Sequence, residues 1–245
     1  VIAADRPAPI ADHGAYWTDG LAPMPSTHTD IVSEADVVII GSGYTGMHAA
    51  IVTAKQGKTT QVLEAQTPGW GCSTRNGGQI SSSIKPTQTQ LAKRFGSEKA
   101  RAIRAEGQKS LDWIEEFITT HGIDCHFARN GRFHAAHTQS HFDKLVAEAH
   151  RLDVEENVPT IVVPRQDQHQ ELGTDAYFGG IVFTQHASLH PAKYYAGILR
   201  TAIDAGVRVT GNCPAIALER SGLYFIVSTP QGKIKAGKVV VATNG

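Results

Sequence analysis

The chain has 245 residues, enough for one large domain or two modest ones with a real core. Its 23 basic and 23 acidic side chains balance, which gives no electrostatic footprint for nucleic acid or an anionic membrane surface. No apolar run approaches the roughly 20 residues of a membrane helix, and the opening "VIAADRPAPIADHGAYW" lacks the basic start and apolar core of a signal peptide.

The first residue is Val, which reads as a trimmed start, and residues 1–35 read as an N-terminal arm. The continuous apolar run Val37–Ile40 suits a parallel strand buried on both faces. Gly41, Gly43 and Gly46 follow in G-x-G-x-x-G spacing and open an Ala-rich helix. Ala50, Ile51 and Ala54 form its apolar face and Gly57 its stop. "TTQVLE" is a second strand ending at Glu64.

Each glycine has a mechanical role. The first lets the strand turn sharply, the second lets backbone N–H groups approach a pyrophosphate, and the third lets helix and strand pack closely. The phosphates then sit at a positive helix end. Glu64 is placed to accept the hydroxyl protons of an adenosine ribose, and no Arg follows it in "EAQT", which disfavours NADP. NAD and FAD both remain open from this unit alone.

After Glu64 comes "AQTPGWGCSTRNGGQISSSIKP", rich in Gly, Pro and small hydroxyl side chains around Arg75 and Asn76. Such a loop can wrap a second phosphate and the polar edge of a bulky ring; a mobile surface loop is the plainer alternative. An amphipathic helix follows in "SEKARAIRAEGQKSLDWIEEFITTHG", with Ala100, Ile103, Gly107, Leu111, Ile114 and Ile118 on one face, Ser97 as cap and Gly122 as stop. "IDCHFARNGRFHAA" reads as a hairpin turning at Asn130-Gly131. Phe142, Leu145, Val146, Ala149 and Leu152 mark a second helix, and "YFGGIVFT" another strand. Pro191 begins a further helix, which buries Tyr195, Ile198, Leu199, Ala202 and Ile203 and ends at Gly206. "VRVT" supplies a parallel strand, "PAIALERSGLYFIVSTPQGKIKA" three antiparallel ones, and "KVVVATNG" a strand rejoining the central sheet.

Twelve histidines raise the question of a metal, above all His134, His137 and His141. That trio crosses a strand, a turn and a helix start, so no single periodicity brings the rings together, and none is assigned a metal. Cys72, Cys125 and Cys213 stand far apart and read as reduced thiols in a cytoplasmic protein.

"VVIIGSGYTGMHAA", "VLEAQTPGWGCSTRNGGQ", "GRFHAAHT", "HPAKYYAGILRTAIDAGVRVTGNCPAIALE" and "VVVATNG" together resemble the D-amino-acid-oxidase-type FAD-dependent oxidoreductases, and among them the γ-glutamylputrescine oxidase-like branch. The resemblance runs from about Ala15 to the end and implies an α/β fold. Its parts would be a Rossmann-like FAD-binding domain of glutathione-reductase type, from 36–90 and 191–245, and an inserted α+β substrate domain at 91–190, incomplete at the C-terminus.

Gly41, Ser42, Gly43, Tyr44, Thr45 and Gly46 would then meet the pyrophosphate of a non-covalent FAD, and Glu64 with Ala65 the ribose. The stretch Cys72, Ser73, Thr74, Arg75, Asn76, Gly77, Gly78 and Gln79 would pass along the pyrophosphate and isoalloxazine. The backbone at Ala215 and Ile216 would meet the adenine, and Ala242, Thr243 and Asn244 would pass beside the pyrophosphate. The implied reaction is oxidation of the C–N bond of an amine or amino acid (γ-glutamylputrescine-like, sarcosine- or glycine-like, or a D-amino acid). A hydride passes to flavin N5, with O2 or another acceptor reoxidising the flavin.

His186 and His190 are weak candidates for substrate contact, and Lys193, Tyr194 and Tyr195 no stronger. A C-terminal half of the same enzyme is the expected partner, since a chain ending at the Asn244-Gly245 corner would leave sheet edges open. Three other readings stay in view: an NAD-dependent dehydrogenase, a non-catalytic FAD-binding subunit, and a flavoenzyme acting on a hydroxy acid such as glycerol phosphate.

Overall fold

The computed structural model describes residues 16–22, 24, 28–156 and 158–244. Most of the expected N-terminal arm and Gly245 lie outside the described residues. The chain divides into two compact units, Val1–Gly77 with Pro191–Gly245, and Gly78–His190. Along the chain come β1 (Glu34–Ile40), α1 (Tyr44–Lys55), β2 (Thr60–Leu63), β3 (Gln79–Ile80), α2 (Gln88–Phe95) and α3 (Ser97–Thr120). They are followed by β4 (Arg132–Ala135), α4 (Gln139–Glu156), β5 (Thr160–Pro164), α5 (His169–Leu172), β6 (Gly179–Phe183) and β7 (Ala187–Ser188). The last elements are α6 (Pro191–Asp204), β8 (Arg208–Thr210), β9 (Ala217–Ser221), β10 (Tyr224–Thr229) and β11 (Gly232–Val241).

The first unit is built on a six-stranded sheet in the order β8-β2-β1-β11-β10-β9. β8, β2, β1 and β11 run parallel, and β9 and β10 antiparallel. β2 is buried at every position because it has neighbours on both edges and layers on both faces, the environment in which parallel strands lose their alternation. α1 lays Met47, Ala50 and Ile51 against the sheet, and α6 buries Tyr194, Tyr195, Ile198, Leu199 and Ala202, with Pro191 as its first residue. A cluster of Val38, Leu63, Val227, Ile234 and Ala236 fills the other side.

The strand expected at "GKIKA" and the one at "KVVV" are a single ten-residue strand. Its first half, to Ala236, pairs antiparallel with β10 while the stretch from Lys235 to Val241 pairs parallel with β1, so one strand joins the β9–β11 meander to the nucleotide-type sheet. Gly237 permits this: a Cβ there would lie 2.9 Å from the Asp36 carbonyl oxygen.

In the second unit β4-β6-β5 form an antiparallel sheet, with β3 and β7 a separate pair. α4 packs Leu145, Ala149 and Leu152 with Ile181 and Phe183. Residues 78–90 belong here, not to the first unit as expected, because β3 pairs with β7 and α2 packs on α3. Three further differences have local causes. The cap of α3 is Gly96 at φ 84, with Ser97 already helical. α2 was unforeseen, although Thr87 and Gln90 form a reciprocal capping box that is visible in sequence as T-x-x-Q. The expected hairpin at Asn130-Gly131 does not form. β4 pairs with β6 instead, the stretch before it touches Ser188 through Ala128, and the Gly131 amide donates to the His186 carbonyl.

Among the described residues no helix is long and apolar enough to cross a membrane.

Candidate functional site

At the carboxyl ends of β1 and β2 the first unit holds a cleft of about 670 Å³. Its floor is the turn from β1 into α1. Gly41 has φ +102, a region L side chains rarely occupy, and a Cβ there would sit 2.7 Å from the Ala242 carbonyl oxygen. A Cβ on Gly46 would fall 2.0 Å from the Gly41 carbonyl oxygen, so helix and turn touch through bare backbone. Gly43 caps α1 without any side-chain bond, and the first turn carries no acidic residue. Gly43, Tyr44 and Thr45 line the cleft, so the positive helix end faces it.

Glu64 stands at the end of β2 as the only carboxylate among the residues lining this cleft. Its Oε2 accepts from the Ser42 amide at 3.0 Å and the Ser42 hydroxyl at 2.5 Å, and its Oε1 from the Gln66 amide at 3.0 Å. Behind Ser42, the buried Tyr195 hydroxyl donates to Ser42 Oγ at 3.2 Å. Burial pushes the Tyr195 phenol well above its ordinary range, so it stays a neutral donor. Three of the roughly four acceptor sites of Glu64 are thus taken, which fixes the carboxylate and leaves one direction open to the cleft.

The loop after β2 forms a wall. Its turn is pinned by the buried Thr74 hydroxyl, which donates to the Gly69 carbonyl at 2.5 Å, and Gly69 must stay bare because a Cβ there would lie 2.8 Å from the Tyr195 ring. Ser73 Oγ accepts from the Tyr44 amide at 3.0 Å, tying the wall to the helix start. Asn76 Nδ2 donates to the Cys72 and Ser73 carbonyls. Across the cleft Asn244 Nδ2 donates to the exposed Cys72 thiol at 3.6 Å.

Of the residues singled out in sequence, Gly41, Ser42, Gly43, Tyr44, Thr45, Glu64, Ala65, Cys72, Ser73, Asn76, Ala215, Ala242, Thr243 and Asn244 all line this one cleft. Gly46 and Thr74 lie behind it as packing and pinning groups. The Arg75 guanidinium rests 4.9 Å from the Trp70 ring centroid, outside the lining, and Gly77 is exposed. Gly78 and Gln79 fall in the second unit. Ile216 is not in the lining either: its amide donates to the Ser228 carbonyl at 2.8 Å. Ile40, Leu63, Gly69, Trp70, Gly71, Pro214 and Val241 also line the cleft. Trp70 is 52 % exposed, and an aromatic between two glycines was the signal that could have marked it.

In the second unit, His190 donates its amide to the Cys125 carbonyl and its ring meets His126 edge-on. His186 is buried and reappears below. The rings of His134 and His137 each come within about 6 Å of His141, centroid to centroid, because β4 and the start of α4 fold beside one another. No single periodicity does this; the fold brings the rings together, and among the described residues no cluster has metal-holding geometry.

A parallel sheet, a glycine turn into a helix start and an acid at the end of the second strand define a Rossmann-type dinucleotide fold. The chain belongs to the FAD dependent oxidoreductase family, whose model matches residues 36–245. It is 29% identical over 216 residues to "Probable oxidoreductase OrdL" of Haemophilus influenzae, covering 87% of this chain and 49% of that protein. It is 27% identical to gamma-glutamylputrescine oxidoreductase of Escherichia coli, covering 85% of this chain and again 49% of the relative. Its fold is similar to that of glycine oxidase from Geobacillus kaustophilus, with TM-score 0.71 and 18% identity over 86% of this chain and 56% of that one. L-proline dehydrogenase from P. horikoshii is similar at TM-score 0.70 and 18% identity, over 87% and 54%. The chain spans about half the length of the curated relatives it matches.

Proposed function

We propose that the cleft binds FAD non-covalently, and that the chain is the cofactor-binding part of an oxidoreductase acting on an amine or amino acid. The observation that carries this is the start of α1, capped by Gly43 with no side-chain bond of its own, facing a cleft whose sole lining carboxylate is Glu64. The backbone amides of Gly43 and Thr45 are suited to pyrophosphate oxygens, the Tyr44 amide being held by Ser73 Oγ, and Glu64 is suited to ribose hydroxyls. The adenine falls to Pro214 and Ala215, because the Ile216 amide is already used inside the sheet. Cys72, Ser73, Asn76, Thr243 and Asn244 would flank the flavin end.

When bound, FAD supplies a hydride acceptor. This chain's own residues hold and orient. Ser42, fixed by Tyr195 and Glu64, keeps the turn closed on the ribose acid, and Ser73 keeps the loop against the helix start.

The reading is supported for substrate class by the relatives' names, of which γ-glutamylputrescine, glycine and proline are the substrates printed. Because the chain spans half of those relatives, activity is proposed for it together with a C-terminal half of their kind. Free Cys72, Cys125 and Cys213 accord with a cytoplasmic setting. The same half-coverage favours one rival, a FAD-binding subunit without catalysis of its own.

Titration of the purified chain with FAD and NAD, followed by flavin fluorescence and calorimetry, tests the cofactor. One FAD per chain with no competition by NAD is expected, and absence of FAD binding overturns the reading. An anaerobic screen of polyamines, γ-glutamylated amines, sarcosine, glycine and D-amino acids tests the substrate class. Bleaching of bound flavin supports catalysis, and FAD retained without bleaching by any amine, even with the C-terminal half restored, favours the subunit.

A further inference from the structure

A second cavity, of about 560 Å³, lies wholly within the second unit and shares no lining residue with the first. Two of its lining groups are polar atoms with nowhere to go. His186 is 2% exposed, and neither ring nitrogen has a hydrogen-bond partner. Arg132 Nε is also buried without a partner, and no carboxylate is paired with this guanidinium among the described residues. Unpartnered buried donors are rare because each forfeits its hydration, so two such groups lining one cavity mark a place where a ligand completes the set.

The two groups share a support. Arg132 and Phe183 are cross-strand partners in β4 and β6, with the guanidinium carbon 4.8 Å from the Phe183 ring centroid. The His186 ring stacks on the same phenyl at 4.7 Å and 10°. That platform leaves the guanidinium N–H groups and the ring edge as the functional surfaces. None of the lining residues is acidic. Ser188 and Asn130 add hydroxyl and amide groups, while Ile80 and Ala187 add apolar surface.

The sign and size of the charge select the ligand. Burial, and secondarily the Arg132 charge, hold the His186 pKa down to about 4, so at neutral pH the imidazole is an uncharged N–H donor. One fixed positive charge with a planar fork of donors matches a monoanionic, planar carboxylate better than a dianionic phosphate. The apolar surface beside it calls for carbon.

We propose that this cavity is an organic-carboxylate site, in which Arg132 and His186 together grip the carboxylate and Ile80 and Ala187 receive its carbon chain. It stands on residues of the second unit alone and does not rest on the FAD reading.

Acetate, glutarate and benzoate are titrated into the 245-residue chain without cofactor, with the His186 ring followed by 1H–15N NMR and binding by calorimetry; inorganic phosphate and putrescine are the comparison ligands. Saturable shifts of the His186 ring signals with the carboxylates, and at least a tenfold loss of affinity in Arg132→Gln, are expected. Arg132→Lys, which keeps the charge and tests the fork, should fall between them. A His186 ring unmoved by any carboxylate in the unsubstituted chain overturns the proposal whatever the variants do. So do undiminished binding in a folded Arg132→Gln and a preference for phosphate or putrescine.

Discussion

Replacing Gly46 by Ala tests the packing on which the cofactor cleft depends. The new Cβ would lie 2.0 Å from the Gly41 carbonyl oxygen and 3.3 Å from Ala242 Cβ. Backbone cannot yield as a flexible side chain can, so α1 must withdraw by roughly 1 Å to restore van der Waals contact. That overpacking costs about 1–3 kcal/mol, partly offset by the roughly 1 kcal/mol that Ala gains over Gly inside a helix. Melting should fall by up to about 8 °C for a chain of this size. The larger effect is on binding. Withdrawal carries the helix-start amides away from a phosphate held at about 2.9 Å, beyond hydrogen-bond range. Each charge-assisted bond lost is worth about 1.5–3 kcal/mol, so FAD affinity drops by roughly 10- to 100-fold per bond. Flavin-fluorescence titration alongside thermal melts reads both quantities. Gly57→Ala is the control: its φ of +73 makes it strained, but the added Cβ meets open space away from the cleft, so it should cost stability without touching FAD. A Gly46→Ala protein that binds FAD as tightly as the unsubstituted chain would refute the reasoning.

Glu64→Gln brings an amide nitrogen towards donors that now meet a carboxylate, and should weaken FAD binding about tenfold and lower stability by about 1–3 kcal/mol, read by the same titration and melts. Cys72 is exposed and lines the cleft, so iodoacetamide should modify it in the free chain and more slowly with FAD present, as peptide mass spectrometry would show; equal rates contradict the placement. The depressed His186 pKa means the unfolded chain binds a proton that the native chain refuses between the ordinary value of 6.5 and about 4. Stability is therefore lost as pH falls through that window, by at most about 3 kcal/mol, and His186→Gln should flatten the loss in urea titrations at successive pH values. Glu156, nearly buried, accepts from Arg104 Nε at 2.8 Å and Arg151 Nη1 at 2.6 Å; Glu156→Gln should cost about 1–3 kcal/mol by denaturant unfolding, since it takes from Arg104 its one carboxylate partner among the described residues while Arg151 keeps Glu148.

Most of the cleft floor was legible because its contacts are local. Gly41 to Gly46 and Glu64 belong to one strand–helix–strand unit, where spacing along the chain sets spacing in space. The loop wall was legible as a Gly- and Ser-rich stretch, but not which of its residues face inward. Thr74 turns under the loop to bond Gly69, and Arg75 turns outward onto Trp70. Ile216 was misplaced because a strand pattern does not say which amide is spent on a neighbour and which is left for a ligand. The hairpin at Asn130-Gly131 failed for a related reason: the pair favours a tight turn, but β4 found its partner some fifty residues on in β6.

Taken alone, the order of residues determined the parallel-strand and helix alternation, the glycine turn and the acid that closes it, because periodicity and φ preference are properties of short segments. Tertiary structure alone decided that β11 is one strand serving two kinds of neighbour, that Tyr195 stands behind Ser42, and that His186 and Arg132 share the Phe183 ring with their nitrogens unsatisfied. A hydrophobic pattern tells a side chain to leave water. It does not name the distant residue that will meet it there.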